Sequence, residues 1–64
     1  MANDRLLTVE EVAQMLSVHD ETIRRWIRSG ELVAIDLGGP AGYRIAQSEL
    51  DRFIKERQTR RKDS

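Results

Sequence analysis

Three arginines and a glutamate are crowded into the segment ETIRRWIR, residues 21–28. A guanidinium group can donate two parallel hydrogen bonds to a phosphate or to O6 and N7 of guanine. A glutamate carboxylate can accept a hydrogen bond from N4 of cytosine. Glu21, Arg24, Arg25 and Arg28 are therefore candidates for contacts with a nucleic acid.

The same segment has the periodicity of a short helix with two opposed faces. Its apolar residues follow the i, i+3, i+4 spacing of a buried stripe: Ile23, Trp26 and Ile27. The other side is polar, with Thr22 and Arg24 on the flanks of Glu21, Arg25 and Arg28. A helix that anchors itself by one face and presents arginines on the other has the form of a DNA recognition helix. The alternative is a solvated helix with an ordinary charged face.

Other residue types that commonly carry chemistry are scarce. The chain has no cysteine, which excludes disulfides, thiolate metal ligands and a cysteine nucleophile. The single histidine, His19, has no partners spaced for a metal site or a catalytic triad, and we predict a helix cap or surface residue. The glycine-rich stretch 38–42 lacks the lysine and the following helix of a P-loop, which favours a hairpin turn. We expect no enzyme, cofactor, metal ion or small-molecule substrate.

The sequence predicts two helices joined by a short connection, and the second helix contains the arginine segment. Thr8 and Glu11 form a capping-box pattern, and apolar residues then repeat with helical spacing over residues 9–16, with Met15 as a further core filler. A three-residue connection, 17–19, leads to a second helix that begins at about Asp20 and ends before Gly30. This arrangement predicts a helix-turn-helix.

The second half of the chain predicts a hairpin and a third helix. Residues 32–37 contain the β-branched Val33 and Ile35 and alternate in part, residues 38–42 form a turn, and residues 43–45 return as a second strand. Ser48 resembles an N-cap, and the helix that follows should run to about Arg57.

The predicted fold is a winged helix-turn-helix of the α+β class, mainly α, with a two-stranded hairpin as the wing. Residues 1–57 form the domain, and residues 58–64 form a basic tail that is either solubilising or an interaction arm. The expected core consists of Leu7, Val12, Leu16, Val18, Ile23, Trp26, Ile27, Leu32, Ile35, Ile45, Leu50 and Phe53, with Ile54 completing the apolar stripe of the third helix.

Eleven basic and eleven acidic residues give a net charge of zero, which taken alone argues against a nucleic-acid partner. The charges are segregated, however: residues 1–21 carry net −4 and residues 22–64 net +4. No apolar run could span a membrane, and the first residues are unlike a signal peptide. We therefore expect a cytoplasmic protein, associated with the nucleoid of a bacterial host if it binds DNA.

The segments LLTVEEVA (residues 6–13) and TIRRWIRSGEL (residues 22–32) resemble the excisionase family of winged-helix DNA-binding domains, relatives of the MerR type. The resemblance extends from Leu6 to about Ile54. In phage members of that family it implies an accessory factor that binds adjacent direct repeats cooperatively. Such a factor bends the DNA and directs an integrase toward excision.

By position, the resemblance implies that Glu21 and Arg25 read bases in the major groove, with Thr22 and Arg24 near phosphates. The wing, Gly38–Gly42 with Gly39 as a contact residue, and its base Arg44 would approach the neighbouring minor groove. The basic tail corresponds to a region that can engage the integrase. Arg28, farther along the helix, is expected to contact a phosphate. Two alternatives remain open: a small MerR-like transcriptional regulator, and a protein-interaction module.

Overall fold

The computed structural model describes residues 4–58, which form three α-helices, a short 3₁₀ helix (Gly39–Ala41) and a small antiparallel sheet. The helices are α1 (Val9–Leu16), α2 (Asp20–Ser29) and α3 (Gln47–Arg57). The strands are β1 (Leu6–Thr8), β2 (Ile35–Asp36) and β3 (Tyr43–Ala46), in the spatial order β1-β3-β2. The chain folds as a winged helix-turn-helix, mostly helical, as the sequence predicted.

The predicted start of α1 is confirmed in detail. The backbone N–H of Glu11 donates to the Thr8 hydroxyl at 3.0 Å, and the Glu11 carboxylate accepts from the Thr8 N–H at 2.9 Å. This capping box satisfies donors that the first turn of a helix leaves without partners. The helix ends at Leu16, and the C-cap residue Ser17 adopts a left-handed conformation with φ of 59° that turns the chain toward α2.

The predicted bounds of α2 are also confirmed. His19 occupies the N-cap position but makes no side-chain capping bond, and its carbonyl accepts from the N–H of Thr22 at 2.9 Å. Gly30 ends the helix with φ of 87°, a conformation that costs glycine little because it lacks a Cβ.

The wing carries a third strand that the sequence prediction lacked. The hairpin of β2 and β3 is present, but β1 also pairs with β3, with Leu7 opposite Ile45 in the buried layer. A strand of three residues is too short to show a period of two, and the sequence analysis therefore predicts no strand before Thr8. The sheet is therefore three-stranded rather than two-stranded.

The strand predicted over residues 32–37 pairs with β3 only at Ile35 and Asp36. Ile35, which we predicted in the core, is 44% exposed. It lies opposite Arg44, whereas the adjacent Ile45 is fully buried, so alternation along the sheet turns Ile35 to the outer face. The prediction that Ile35 is buried was wrong because the register decides which face a strand residue occupies.

The predicted cap of α3 was wrong as well. The helix begins at Gln47, one residue before Ser48, and its N-cap residue Ala46 provides no side-chain bond. Instead, Asp4 accepts from the backbone N–H of Ser48 at 3.1 Å and from its hydroxyl at 2.7 Å. A cap supplied from 44 positions away leaves no local sequence signal.

The core lies between the helices and one face of the sheet. Its buried residues are Leu7, Val9, Val12, Ala13, Ile23, Leu32, Ile45, Leu50 and Phe53. The other predicted core residues apart from Ile35 are partly buried against this cluster: Leu16, Val18, Trp26 and Ile27. Met15 (55% exposed) and Ile54 (39% exposed) were wrongly predicted inside. Met15 lies beyond the edge of the α1 stripe, and Ile54 lies beside the contact line that Leu50 and Phe53 make.

Candidate nucleic-acid interface

The polar face of α2 is presented to solvent as the periodicity predicted. Ile23 is fully buried, and Trp26 and Ile27 pack against the core, which fixes the rotation of the helix about its axis. The charged residues of the opposite side are exposed: Glu21, Arg25 and Arg28. Thr22 and Arg24 are half-buried on the flanks. The fold thus holds five of the seven predicted contact residues on one continuous helix surface.

An ion pair spans this surface. The guanidinium Nη2 of Arg28 donates to Oε2 of Glu21 at 2.9 Å, and both side chains are more than half exposed. The hydrogen bond from Arg28 and its positive charge lower the pKa of Glu21, with smaller contributions from the charges of Arg24 and Arg25. Glu21 is therefore ionised at neutral pH and acts as a counter-charge for the arginines of the helix.

A groove of about 370 Å³ separates α2 from the wing. Arg24 lines it from the side of α2, and Pro40 and Tyr43 line it from the side of the wing. The first turn of α1 closes the end, where Glu10 brings a negative charge. The groove is lined by both polar and apolar groups.

The wing tip is a tight turn held by its own polar groups. Asp36 accepts from the N–H of Gly38 at 2.9 Å, and Gly39 has φ of 53°, which a residue with a Cβ rarely adopts. Arg44 donates from Nη1 to the carbonyl oxygens of Ala41 (2.7 Å) and Tyr43 (3.0 Å). Arg44, predicted at the base of the wing, therefore also stabilises the conformation of its tip. The predicted roles of Gly39 and Arg44 at a minor groove stay predictions.

The apolar side of α2 packs against the C-terminal half of α3 through a cluster of two aromatic rings and an arginine. The ring centroids of Trp26 and Phe53 lie 5.0 Å apart, and the ring planes are inclined at 44° to each other. The guanidinium of Arg57 lies 4.4 Å from the Phe53 ring centre and 5.7 Å from that of Trp26, and it also pairs with Glu31. This cluster orients the helix that carries the candidate contacts.

Sequence reasoning missed Tyr43 and Glu10 in the groove and Arg57 behind α2. Tyr43 follows directly after the predicted turn, so a position at the wing base was a usable signal for it. Arg57 was predicted only as the end of the third helix. Its partners Glu31 and Trp26 are 26 and 31 positions away, a separation that periodicity cannot detect.

A helix-turn-helix whose second helix exposes arginines beside a wing defines a DNA-binding domain. The chain belongs to the helix-turn-helix domain family, whose model matches residues 6–58. Comparisons with curated proteins and with solved structures gave no match. Within residues 4–58, no helix is both long and apolar enough to cross a membrane. Membership of this family indicates sequence-specific DNA binding.

Proposed function

We propose that the protein is an excisionase, a recombination directionality factor that binds double-stranded DNA and directs an integrase toward excision. The observation that carries the DNA-binding part is the orientation of α2, which buries Ile23 and exposes Arg25 and Arg28. The excisionase part rests on the resemblance of residues 6–13 and 22–32 to that family. It is supported by the helix-turn-helix family match, since this domain is found in excisionase-like DNA-binding proteins.

In this proposal the exposed face of α2 lies in the major groove. Arg25 and Glu21 read base edges, each good contact discriminating by about 1–3 kcal/mol against a wrong base. Thr22, Arg24 and Arg28 contact phosphates and set the position of the helix. The wing, with Gly39 at its tip and Arg44 at its base, reaches the adjacent minor groove. The DNA backbone between the major and minor grooves then lies in the protein groove that Arg24 and Tyr43 line.

Several copies are expected to act together. The net charge is zero, and Glu21 offsets part of the positive charge on α2, so one copy releases few counterions and binds weakly. Binding to neighbouring repeated sites, with bending of the DNA, would supply the remaining affinity. An integrase is the expected partner of the basic tail. Of that predicted tail only Gln58 is described, and the part from residue 59 onward lies outside the described residues.

The first experiment is selection from a random pool of DNA duplexes, followed by titration of the selected duplex with Arg25→Ala. We expect the variant to lose most of the discrimination between selected and random duplexes. Arg52→Ala is the matched control, because Arg52 is an arginine with a 64% exposed side chain that lies on α3, away from the exposed face of α2. Equal discrimination by wild type and Arg25→Ala would contradict the recognition-helix role.

The second experiment tests the biological role. The protein is added to a recombination reaction with a candidate integrase, and excision and integration products are measured separately. Stimulation of excision with suppression of integration supports an excisionase. Specific DNA binding without any effect on recombination would instead indicate a small transcriptional regulator built on the same domain.

A further inference from the structure

We propose that two copies of this protein associate through the outer edges of their β2 strands, in antiparallel pairing about a two-fold axis at Ile35. The contact is a property of the free protein and does not rest on the proposed function. Two features favour it, a row of exposed aliphatic side chains and an open strand edge, and a single register makes both self-complementary.

The exposed row consists of alternate residues on the segment that contains β2. Val33, Ile35 and Leu37 are 55%, 44% and 50% exposed, whereas Leu32 is buried and Ala34 packs against the core. β2 itself is only Ile35 and Asp36, both exposed, so exposed aliphatic side chains lie on and beside a strand where polar ones are usual. Such a row on an edge strand is a site for pairing with another chain.

The outer edge of β2 offers backbone groups in a defined pattern. Within residues 4–58 β2 pairs only with β3, and the N–H of Leu37 donates to the Gly42 carbonyl at 2.9 Å. Hydrogen-bonded pairs alternate in an antiparallel ladder, so Ile35 also bonds inward, to Arg44. The N–H and C=O groups of Ala34 and Asp36 therefore point away from β3.

These outward groups restrict how two β2 edges can pair. With Ile35 opposite Ile35 of the second copy, Ala34 faces Asp36 of the second copy, and the two residues can exchange both backbone hydrogen bonds. In the same register Val33 faces Leu37 of the second copy. All three exposed aliphatic residues then meet an exposed aliphatic residue.

Neighbouring registers are less favourable. Moving the axis to Asp36 sets two carboxylates directly opposite each other, which is destabilising. If the two-fold axis lay at Ala34, the N–H of Leu32 would have to bond to Asp36 of the second copy. That N–H already donates to the Trp26 carbonyl at 3.1 Å. This axis also places Leu37 opposite Glu31 of the second copy. The side chain of Asp36 does not block the edge, because it is turned back onto the N–H of Gly38.

The small size of the contact implies weak association. Three aliphatic side chains and a short strand edge bury far less than the roughly 800 Å² per partner of a standard stable interface. A concentration-dependent monomer–dimer equilibrium is therefore expected. The two-fold geometry joins copies in opposite orientation, so on DNA it favours inverted sites, whereas copies on direct repeats would have to meet through other surfaces.

Cysteine cross-linking tests both the contact and its register, because the native chain has no cysteine. Ile35 opposite its own equivalent is a non-hydrogen-bonded pair with Cα atoms about 4.5 Å apart, within the disulfide range of about 4.4–6.8 Å. We expect Ile35→Cys to form a disulfide dimer rapidly with diamide. A mixture of Val33→Cys and Leu37→Cys should cross-link faster than either variant alone.

Leu6→Cys is the matched control, since Leu6 is an exposed aliphatic residue (49%) on the opposite edge strand. Cross-linking of Leu6→Cys as fast as Ile35→Cys would overturn the proposal. Preferential cross-linking of Ile35→Cys with Leu37→Cys would overturn the register.

Sedimentation equilibrium gives a second measurement without oxidant. Ile35→Lys should weaken self-association by roughly tenfold or more, because it removes the central contact and opposes two like charges. Leu6→Lys should leave the dimer dissociation constant unchanged. A wild-type protein that stays monomeric at every concentration tested, or equal effects of the two substitutions, would overturn the proposal.

Discussion

Arg28 and Glu21 are joined across two turns of the exposed face of α2, with 2.9 Å between guanidinium nitrogen and carboxylate oxygen. The pair lies on the surface proposed to enter the major groove. A phosphate that binds Arg28 must therefore compete with Glu21. The carboxylate itself repels DNA unless a base offers it a hydrogen-bond donor.

Glu21→Gln should consequently raise the affinity for random-sequence duplexes several-fold and reduce the discrimination between selected and random DNA. Fluorescence anisotropy with both duplexes at several salt concentrations measures the two effects. Glu49→Gln is the control, because it removes a carboxylate that also faces an arginine, Arg52 at 3.9 Å, but on α3. A fall in affinity for both duplexes would contradict the role of Glu21 as a selective counter-charge.

Asp4→Ala should destabilise the domain through loss of the α3 cap. The carboxylate accepts both the backbone N–H and the hydroxyl of Ser48, and removal of such a cap costs about 1 kcal/mol. In a domain of this size that lowers Tm by roughly 4–8 °C. Ser48→Ala, which loses only the hydroxyl contact, should have a smaller effect. Equal melting temperatures for wild type and Asp4→Ala would show that solvent caps the helix as well as Asp4 does.

Arg57→Lys should weaken the attachment of α3 to the back of α2. Lysine keeps the charge facing Glu31 but lacks the planar group that lies over the rings of Trp26 and Phe53, an interaction worth about 0.5–1 kcal/mol at a partly exposed site. Denaturation followed by the fluorescence of Trp26 measures the change. Arg52→Lys provides the same substitution on the same helix away from the aromatic rings. It should be nearly neutral, and an equal loss for both would assign the effect to helix propensity.

The contribution of Glu31 to stability should depend on pH. Hydrogen bonds from the Ser29 hydroxyl and from Arg57 lower the pKa of Glu31 below its ordinary value of 4.5. A lowered pKa in the folded state means that the stabilisation is present above the ordinary value and disappears as the pH falls through the folded-state pKa. The stability difference between wild type and Glu31→Gln should thus be largest near neutral pH and shrink below pH 4.5. A difference that is constant across this range would exclude a role for the charge.

Local patterns were sufficient for the helices that carry the candidate interface. The Thr8–Glu11 capping box and the glycine at position 30 are short-range signals, and both bounds of α1 and α2 agree with the structure. The orientation of α2 was predictable for the same reason, because the spacing of Ile23 and Trp26 alone indicates which side of the helix is buried.

Contacts between distant parts of the chain were not predictable in this way. β1 exists because Leu7 meets Ile45, and the exposure of Ile35 follows from its register with Arg44. The groove beside Arg24 requires the wing to fold back toward α1, and the pairing of Glu21 with Arg28 depends on rotamers. Each of these features is decided by packing between segments.

The hydrogen bonds of Asp4 also bear on how a shortened version of this protein should be designed. The family match begins at residue 6, but the carboxylate that caps α3 and the Arg5 carbonyl that accepts from the N–H of Gln47 at 2.8 Å both precede it. A fragment trimmed to the limits of the matched segment would lose both bonds while keeping every candidate DNA contact. A shortened version should therefore retain Asp4 and Arg5.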